Sequence, residues 1–134
     1  MTKYELRRYR YICQEAEQIR EQIENIRALM TAPKSQVITG MPRGGGGNGD
    51  KIGEAISRID KLERRYAKKI NELLEERKHI ENVIEQLDNI ERLLIRYKYF
   101  DGMTWDEVAD KIDQTIHNTY AIHRKILQKI SKSA

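Results

Sequence analysis

The chain has 134 residues, a formal net charge of +4 and one cysteine, and 34% of its residues are charged. This size allows one or two small domains, and the high charge with two prolines and one phenylalanine predicts a mainly helical protein without a large globular core. Cys13 has no partner for an intramolecular disulfide, and no apolar run reaches the ~20 residues of a membrane span. We therefore expect a cytoplasmic protein with no membrane partner.

The N-terminal part carries a heptad pattern of apolar residues, spaced alternately by three and four positions. The pattern predicts a helix over residues 3–31 with one continuous apolar seam. The seam consists of Tyr9, Ile12, Ala16, Ile19, Ile23, Ile26 and Met30.

Residues 32–53 form a connector that holds both prolines and seven of the eight glycines. This composition predicts a flexible, solvated linker that turns the first helix back against a second one in an antiparallel hairpin. A phosphate cradle in GGGGNG is disfavoured, because the Walker pattern needs Gly-Lys-Ser/Thr whereas Gly49 is followed by Asp50, Lys51 and Ile52. A partner contact through residues 41–43 is a weaker alternative to the solvated linker.

A second apolar pattern extends from residue 52 to residue 94, and no proline interrupts it. It predicts one helix roughly 65 to 75 Å long, against ~40 Å for the first helix. The excess length must be covered by a second copy of the chain or by the C-terminal domain, and a homodimer is the favoured hypothesis. The pattern consists of Ile52, Ile56, Ile59, Leu62, Tyr66, Ile70, Leu73, Ile80, Ile84, Leu87 and Leu94.

Residues 104–130, TWDEVADKIDQTIHNTYAIHRKILQKI, predict two short amphipathic helices joined by a tight turn. Thr104 and Glu107 have the spacing of a reciprocal capping box, and Thr115 is a candidate cap for the second helix. Asp113 and Gln114 mark the turn between them. The apolar positions can close the two helices on each other: Trp105, Val108, Ala109 and Ile112 in the first, and Thr119, Ile122, Ile126, Leu127 and Ile130 in the second.

The second of these helices has an unusual charge, since residues 114–134 contain four basic residues and no Asp or Glu. We expect it to expose His117, Asn118, Tyr120 and His123 beside its basic side chains. Such a surface suits a groove lined with phosphates. The alternative is a solvated basic helix that closes a small bundle.

This region resembles the helix-turn-helix of region 4 in bacterial sigma factors. The similar stretch begins with Thr104, Asp106, Glu107, Val108 and Ala109 and ends with Ile126, Leu127, Lys129 and Ile130. The segment that precedes it, ERLLIRYKYFDGMTW, is also similar. With its long N-terminal helices and Gly-rich insert, the chain is most like small sigma-like regulators of phages and mobile elements in Gram-positive bacteria, in the style of the ArpU and RinA late-gene regulators. The resemblance implies a transcription regulator that binds DNA in the bacterial cytoplasm.

The second helix departs from housekeeping region 4, which has acidic and arginine residues near its start. The resemblance therefore does not imply the usual upstream promoter element as target. Asn118 can read adenine bidentately, and Ile116 or Ala121 can touch a thymine methyl, although Ile116 could equally lie in the core. Contact with RNA polymerase, contact with another protein, or binding without sequence preference remain open for this face.

Catalytic and metal-binding patterns are not evident in the sequence. His79, His117 and His123 form no H-E-x-x-H motif and no cluster with Cys13, and His117 and His123 are too far apart on a helix to share a metal. We therefore expect no enzyme activity, no cofactor and no metal.

The sequence thus predicts an all-α protein: a long antiparallel helical hairpin, or coiled coil, over residues 1–96, and a helix-turn-helix over residues 97–134. The leading hypothesis is a DNA-binding transcription regulator, with double-stranded DNA and RNA polymerase as partners. The alternative is a coiled-coil interaction or scaffold protein whose C-terminal helices dock a protein partner. In the leading hypothesis the bases are contacted by Ile116, His117, Asn118, Tyr120 and Ala121, and the phosphates by Arg124, Lys125 and Lys129.

Overall fold

A computed structural model describes residues 1–31 and 47–132, and within these two ranges the chain is helical and contains no strand. A π-helical turn, Arg96–Phe100, extends α3, and the amide of Asp101 donates to the carbonyl oxygen of Arg96. The predicted all-α fold is confirmed. The α-helices of the described residues are α1 (Lys3–Met30), α2 (Gly47–Ile84), α3 (Asn89–Ile95), α4 (Trp105–Lys111) and α5 (Ile116–Ser131).

The chain divides into two compact units, and one of them, Glu15–Ile70, is formed by parts of α1 and α2. Ile19 and Ile23 of α1 pack with Ile59 of α2, as the heptad pattern predicts. Ion pairs between the two helices in this unit include Glu15 with Lys69 at 3.3 Å and Arg27 with Glu63 at 2.5 Å. The later residue of α1 thus pairs with the earlier residue of α2, so the two helices are antiparallel. The predicted hairpin is confirmed.

The apolar seam does not extend to the ends of these helices, because Met30, Ile52 and Ile56 are exposed. α2 begins at Gly47, before the predicted end of the linker at Gly53, and Asp50 supplies a favourable negative charge in its first turn. The rest of the connector lies outside the described residues, including the contact proposed for residues 41–43 and the first three glycines of the GGGGNG segment.

The second compact unit consists of Met1–Gln14 and Asn71–Ala134. One buried apolar core joins α1, the end of α2 and all the C-terminal helices, so segments on both sides of the predicted boundary at residue 96 share it. The buried core residues are Met1, Leu6, Tyr9, Ile80, Ile84, Leu87, Leu94, Ile95, Tyr99, Phe100, Val108, Ile112, Ile126 and Ile130.

The prediction of one helix running to Leu94 is wrong, because α2 ends at Ile84 and α3 begins at Asn89. A capping interaction starts α3: the Glu91 carboxylate accepts a hydrogen bond from the Asp88 amide at 3.0 Å. The Arg92 guanidinium closes the end of α2 by donating to the carbonyl oxygen of Glu85 at 3.2 Å.

This break removes the argument that favoured a homodimer. Ile80 and Ile84 are fully buried and Leu87 nearly so, and they share one core with residues of α1 and of the C-terminal helices of the same chain. A second copy is therefore not needed to shield this strip. The π turn is held to α2 by two hydrogen bonds from the Arg96 guanidinium to Glu81, at 3.0 and 2.8 Å.

Within the described ranges, no helix combines the length and the apolar character that crossing a membrane would require.

Candidate functional site

The helix-turn-helix begins with the capping box that the sequence predicts. The Thr104 hydroxyl accepts a hydrogen bond from the Glu107 amide at 3.2 Å, and the Glu107 carboxylate accepts one from the Thr104 amide at 3.2 Å. These hydrogen bonds, first of all the one from the Thr104 amide, lower the pKa of Glu107. The start of α4 is therefore set by contacts within four consecutive residues.

The turn between α4 and α5 is centred on Asp113, whose φ of 56° lies in the left-handed region that Asp tolerates better than most residues. The Gln114 amide donates to the carbonyl oxygen of Ala109 at 3.0 Å. Thr115 then caps α5, because its hydroxyl accepts from the Asn118 amide at 3.0 Å. The predicted turn and both predicted caps are confirmed.

The inner face of α5 packs against the core through Thr119, His123, Ile126 and Ile130, all of which are buried. The Thr119 hydroxyl donates to the Thr115 carbonyl oxygen at 2.8 Å, so its burial leaves no hydrogen bond unmade. His123 contradicts the prediction, since only 6% of it is exposed and it faces inward rather than toward solvent.

The structure places His123 among aromatic side chains. Its Nε2 lies 2.7 Å from the Tyr99 hydroxyl, and its ring packs edge-on against Trp105 with 4.7 Å between centroids. Burial, reinforced by the charges of Lys3, Lys98 and Arg7, lowers the pKa of His123 to about 4. Burial likewise raises the pKa of Tyr99 to about 12, so at neutral pH the phenol donates to a neutral imidazole.

The outer face of α5 is defined here as the residues between Ile116 and Lys125 that do not pack against the buried core. All the residues predicted to face bases belong to it, and the first three residues of α5 are all exposed. Their contact with DNA stays a prediction. The outer face consists of Ile116, His117, Asn118, Tyr120, Arg124 and Lys125, which are exposed, and Ala121, which is half-buried.

Two of these side chains have partners that hold them in place. The Asn118 amide nitrogen donates to the Gln114 side chain, and the Tyr120 ring packs edge-on against Trp105 with 5.3 Å between centroids. Ile116, for which core and surface positions were both open, is 38% exposed. The group of residues predicted to face bases is therefore accessible and partly ordered by neighbouring side chains.

Lys129, which the sequence predicts to contact a phosphate, forms an ion pair within the chain. Its Nζ lies 2.9 Å from both carboxylate oxygens of Glu91, a residue that is 6% exposed. Burial favours the protonated acid, but the hydrogen bonds from Lys129 and the Asp88 amide outweigh burial and lower the pKa of Glu91. Because Lys129 joins α5 to α3 in this way, it is less available to phosphate than Arg124 and Lys125.

Tyr99, Trp105 and Lys98 were not predicted to take part in the site. Lys98 and Tyr99 are consecutive residues of the π turn, Trp105 belongs to α4, and the Nζ of Lys98 lies 4.7 Å from the Trp105 ring centroid. Their spacing along the chain does not indicate which of these side chains face each other. The one available signal was the density of aromatic and basic residues in RYKYFDGMTW.

Within residues 1–31 and 47–132 there is no group of three or more His, Cys, Asp or Glu side chains that could hold a metal ion. Comparison of the whole chain with protein-family models, curated proteins and solved structures found no match.

Proposed function

We propose that this protein is a sequence-specific DNA-binding transcription regulator that inserts the outer face of α5 into the major groove. The observation that carries the proposal is the charge of α5: its inner face is buried, and its outer face exposes Arg124 and Lys125 without a single carboxylate on the helix. A duplex with one phosphate per ~1.7 Å of axis attracts such a face and repels acidic ones.

The dimensions and chemistry of α5 support the proposal. Its 16 residues span roughly 24 Å, and a major groove about 12 Å wide admits one α-helix. The first turn offers Asn118, which can pair with adenine, and apolar groups from Ile116 and Ala121, which can contact thymine methyls. Arg124 lies farther along the helix, where it can contact a phosphate and fix the register.

The proposed function keeps the context that the sequence resemblance implies, namely genes of a phage or mobile element in a bacterial cytoplasm. RNA polymerase is a second proposed partner. Neither proposal depends on a dimer, since the apolar strip that suggested one is covered within the chain.

The test is selection from a library of random DNA duplexes by the purified full chain, followed by affinity measurements over a salt series. The expected result is enrichment of one motif, with affinity that falls steeply as salt rises. A matched variant, Arg124→Glu with Lys125→Glu, should enrich nothing. A wild-type protein that enriches no motif and binds no duplex at low salt would overturn the proposal.

A second candidate function is that of a coiled-coil interaction protein. It is favoured by exposed apolar side chains in the unit Glu15–Ile70: Leu29 is 78%, Ile52 is 52% and Ile56 is 55% exposed. Self-association through this surface would make a homodimer. Sedimentation of the wild type and of Ile56→Gln tests this function. The wild type should sediment as a dimer and Ile56→Gln should dissociate, because the substitution weakens only association through this surface.

A further inference from the structure

We infer that Lys3, Arg7, Arg10 and Lys98, here called the basic cluster, form a second phosphate-binding surface that contacts the DNA backbone beside the helix-turn-helix. This inference rests on the proposed function. Lys3, Arg7 and Arg10 have the spacing of one face of α1, and Lys98 belongs to the π turn. All four residues belong to the same compact unit.

Arg10 is held against the turn that precedes α4. Its Nη1 donates to the carbonyl oxygen of Phe100 at 3.4 Å. A Cβ built on Gly102 would lie only 2.5 to 2.9 Å from three guanidinium atoms of Arg10, so the missing side chain of Gly102 leaves the space that Arg10 occupies. Gly102 also has a φ of +70°, which favours glycine.

Lys98 is held at the other side of this turn. Its Nζ donates to the carbonyl oxygen of Met103 at 3.1 Å and lies over the Trp105 ring. Burial, followed by the charges of Arg10 and Arg7, lowers the pKa of Lys98. Arg10 and Lys98 thus hold the carbonyl oxygens of Phe100 and Met103, three residues apart on the same turn.

Among the described residues, no member of the basic cluster forms an ion pair with a carboxylate. Glu107 attracts Lys98 at longer range, but its carboxylate is already bound in the capping box with Thr104. Cations that are grouped in this way concentrate positive potential and favour an anion that neutralises several of them. The phosphates of a nucleic acid backbone are such an anion.

The position of the cluster relative to α5 favours duplex DNA as the source of those phosphates. The Trp105 ring centroid lies 4.7 Å from Lys98 Nζ and 5.3 Å from the Tyr120 ring centroid, which belongs to the outer face of α5. Lys98 and Tyr120 are therefore within about 10 Å of each other, less than the ~12 Å width of a major groove. When Tyr120 lies in the major groove, Lys98 contacts the phosphate backbone that borders this groove.

The test removes the two exposed members of the cluster, Lys3→Gln with Arg7→Gln, in the full chain. Its probes are the duplex recovered by selection and a duplex of scrambled sequence. We expect affinity to fall equally on both probes and the slope of log affinity against log salt to become shallower by about two. The control Lys61→Gln with Lys68→Gln removes the same charge from the other compact unit and should leave the slope unchanged.

Arg7→Lys should keep the wild-type slope, since a phosphate contact needs the charge rather than the guanidinium. A wild-type protein that binds no duplex would overturn the proposed function and this inference together. A wild-type protein whose slope falls with Arg124→Ala and Lys125→Ala but not with Lys3→Gln and Arg7→Gln would overturn this inference alone. Binding to vesicles of phosphatidylcholine and phosphatidylserine that is lost in the Lys3→Gln, Arg7→Gln variant, with DNA binding intact, would overturn it in favour of a membrane surface.

Discussion

The Tyr99 hydroxyl lies 2.7 Å from Nε2 of His123, and this buried hydrogen bond joins the π turn to α5. Both groups are neutral at physiological pH, because burial raises the pKa of the phenol and lowers that of the imidazole. A neutral imidazole at this position can accept the hydrogen bond from the phenol, whereas a protonated one cannot.

The first prediction is a loss of stability in mild acid. The pKa of His123 is about 4 in the folded chain, against an ordinary value of 6.5, so between these values the unfolded chain binds more protons. The stabilisation is complete above pH 6.5 and is lost as pH falls toward 4, by about 3 kcal/mol in total. Denaturant unfolding at several pH values measures it.

The double variant Tyr99→Phe with His123→Leu removes the titrating group and its partner, and it should lose this pH dependence between 6.5 and 4. His117→Gln, which changes an exposed histidine on the same helix, should keep it. An unchanged acid profile in the double variant would contradict the prediction.

The second prediction concerns the basic residues of the outer face. Arg124→Ala with Lys125→Ala removes two exposed cations, so binding should weaken on all DNA alike and the salt slope should fall by roughly two. Lys129→Ala should change the slope less and should instead lower stability, because it leaves the buried Glu91 carboxylate without its cation. The prediction would be contradicted if Lys129→Ala lowered the salt slope as much as Arg124→Ala with Lys125→Ala.

The third prediction concerns base recognition. Asn118 is exposed and held by Gln114 at the start of α5. Asn118→Ala should cost about 1 to 3 kcal/mol on the selected duplex and nothing on a scrambled one, if the amide pairs with a base. Competition binding with both duplexes measures the difference, and Gln128→Ala, at an exposed site later in α5, is the matched control. A loss of equal size on both duplexes would exclude base recognition by Asn118.

The fourth prediction separates folding from assembly. Ile84 is fully buried by residues of its own chain, so Ile84→Glu should unfold the unit formed by Met1–Gln14 and Asn71–Ala134 at a cost on the order of 4 kcal/mol. Ile56→Glu, the same change at an exposed position of the same helix, should leave thermal stability nearly unchanged. Thermal melts followed by circular dichroism distinguish the two. A stable Ile84→Glu variant that only dissociates would restore the homodimer hypothesis for this strip.

The sequence by itself determined the features that depend on neighbouring residues. The caps at Thr104 and Thr115 involve side chains three residues from their partners, and the left-handed turn at Asp113 occupies one position, so local chemistry sufficed for both. The seam of α1 followed from helical periodicity, which requires only that apolar residues recur on one face.

Only the tertiary structure decided what covers each apolar or polar surface. Periodicity indicated that Ile84 must be buried, but it did not distinguish a second chain from the chain's own C-terminal helices. Helical spacing likewise does not predict that His123 lies in the core, hydrogen-bonded to Tyr99, or that Lys129 pairs with Glu91. These partners are 24 and 38 residues apart, and contacts over such separations arise from packing, which no local pattern records.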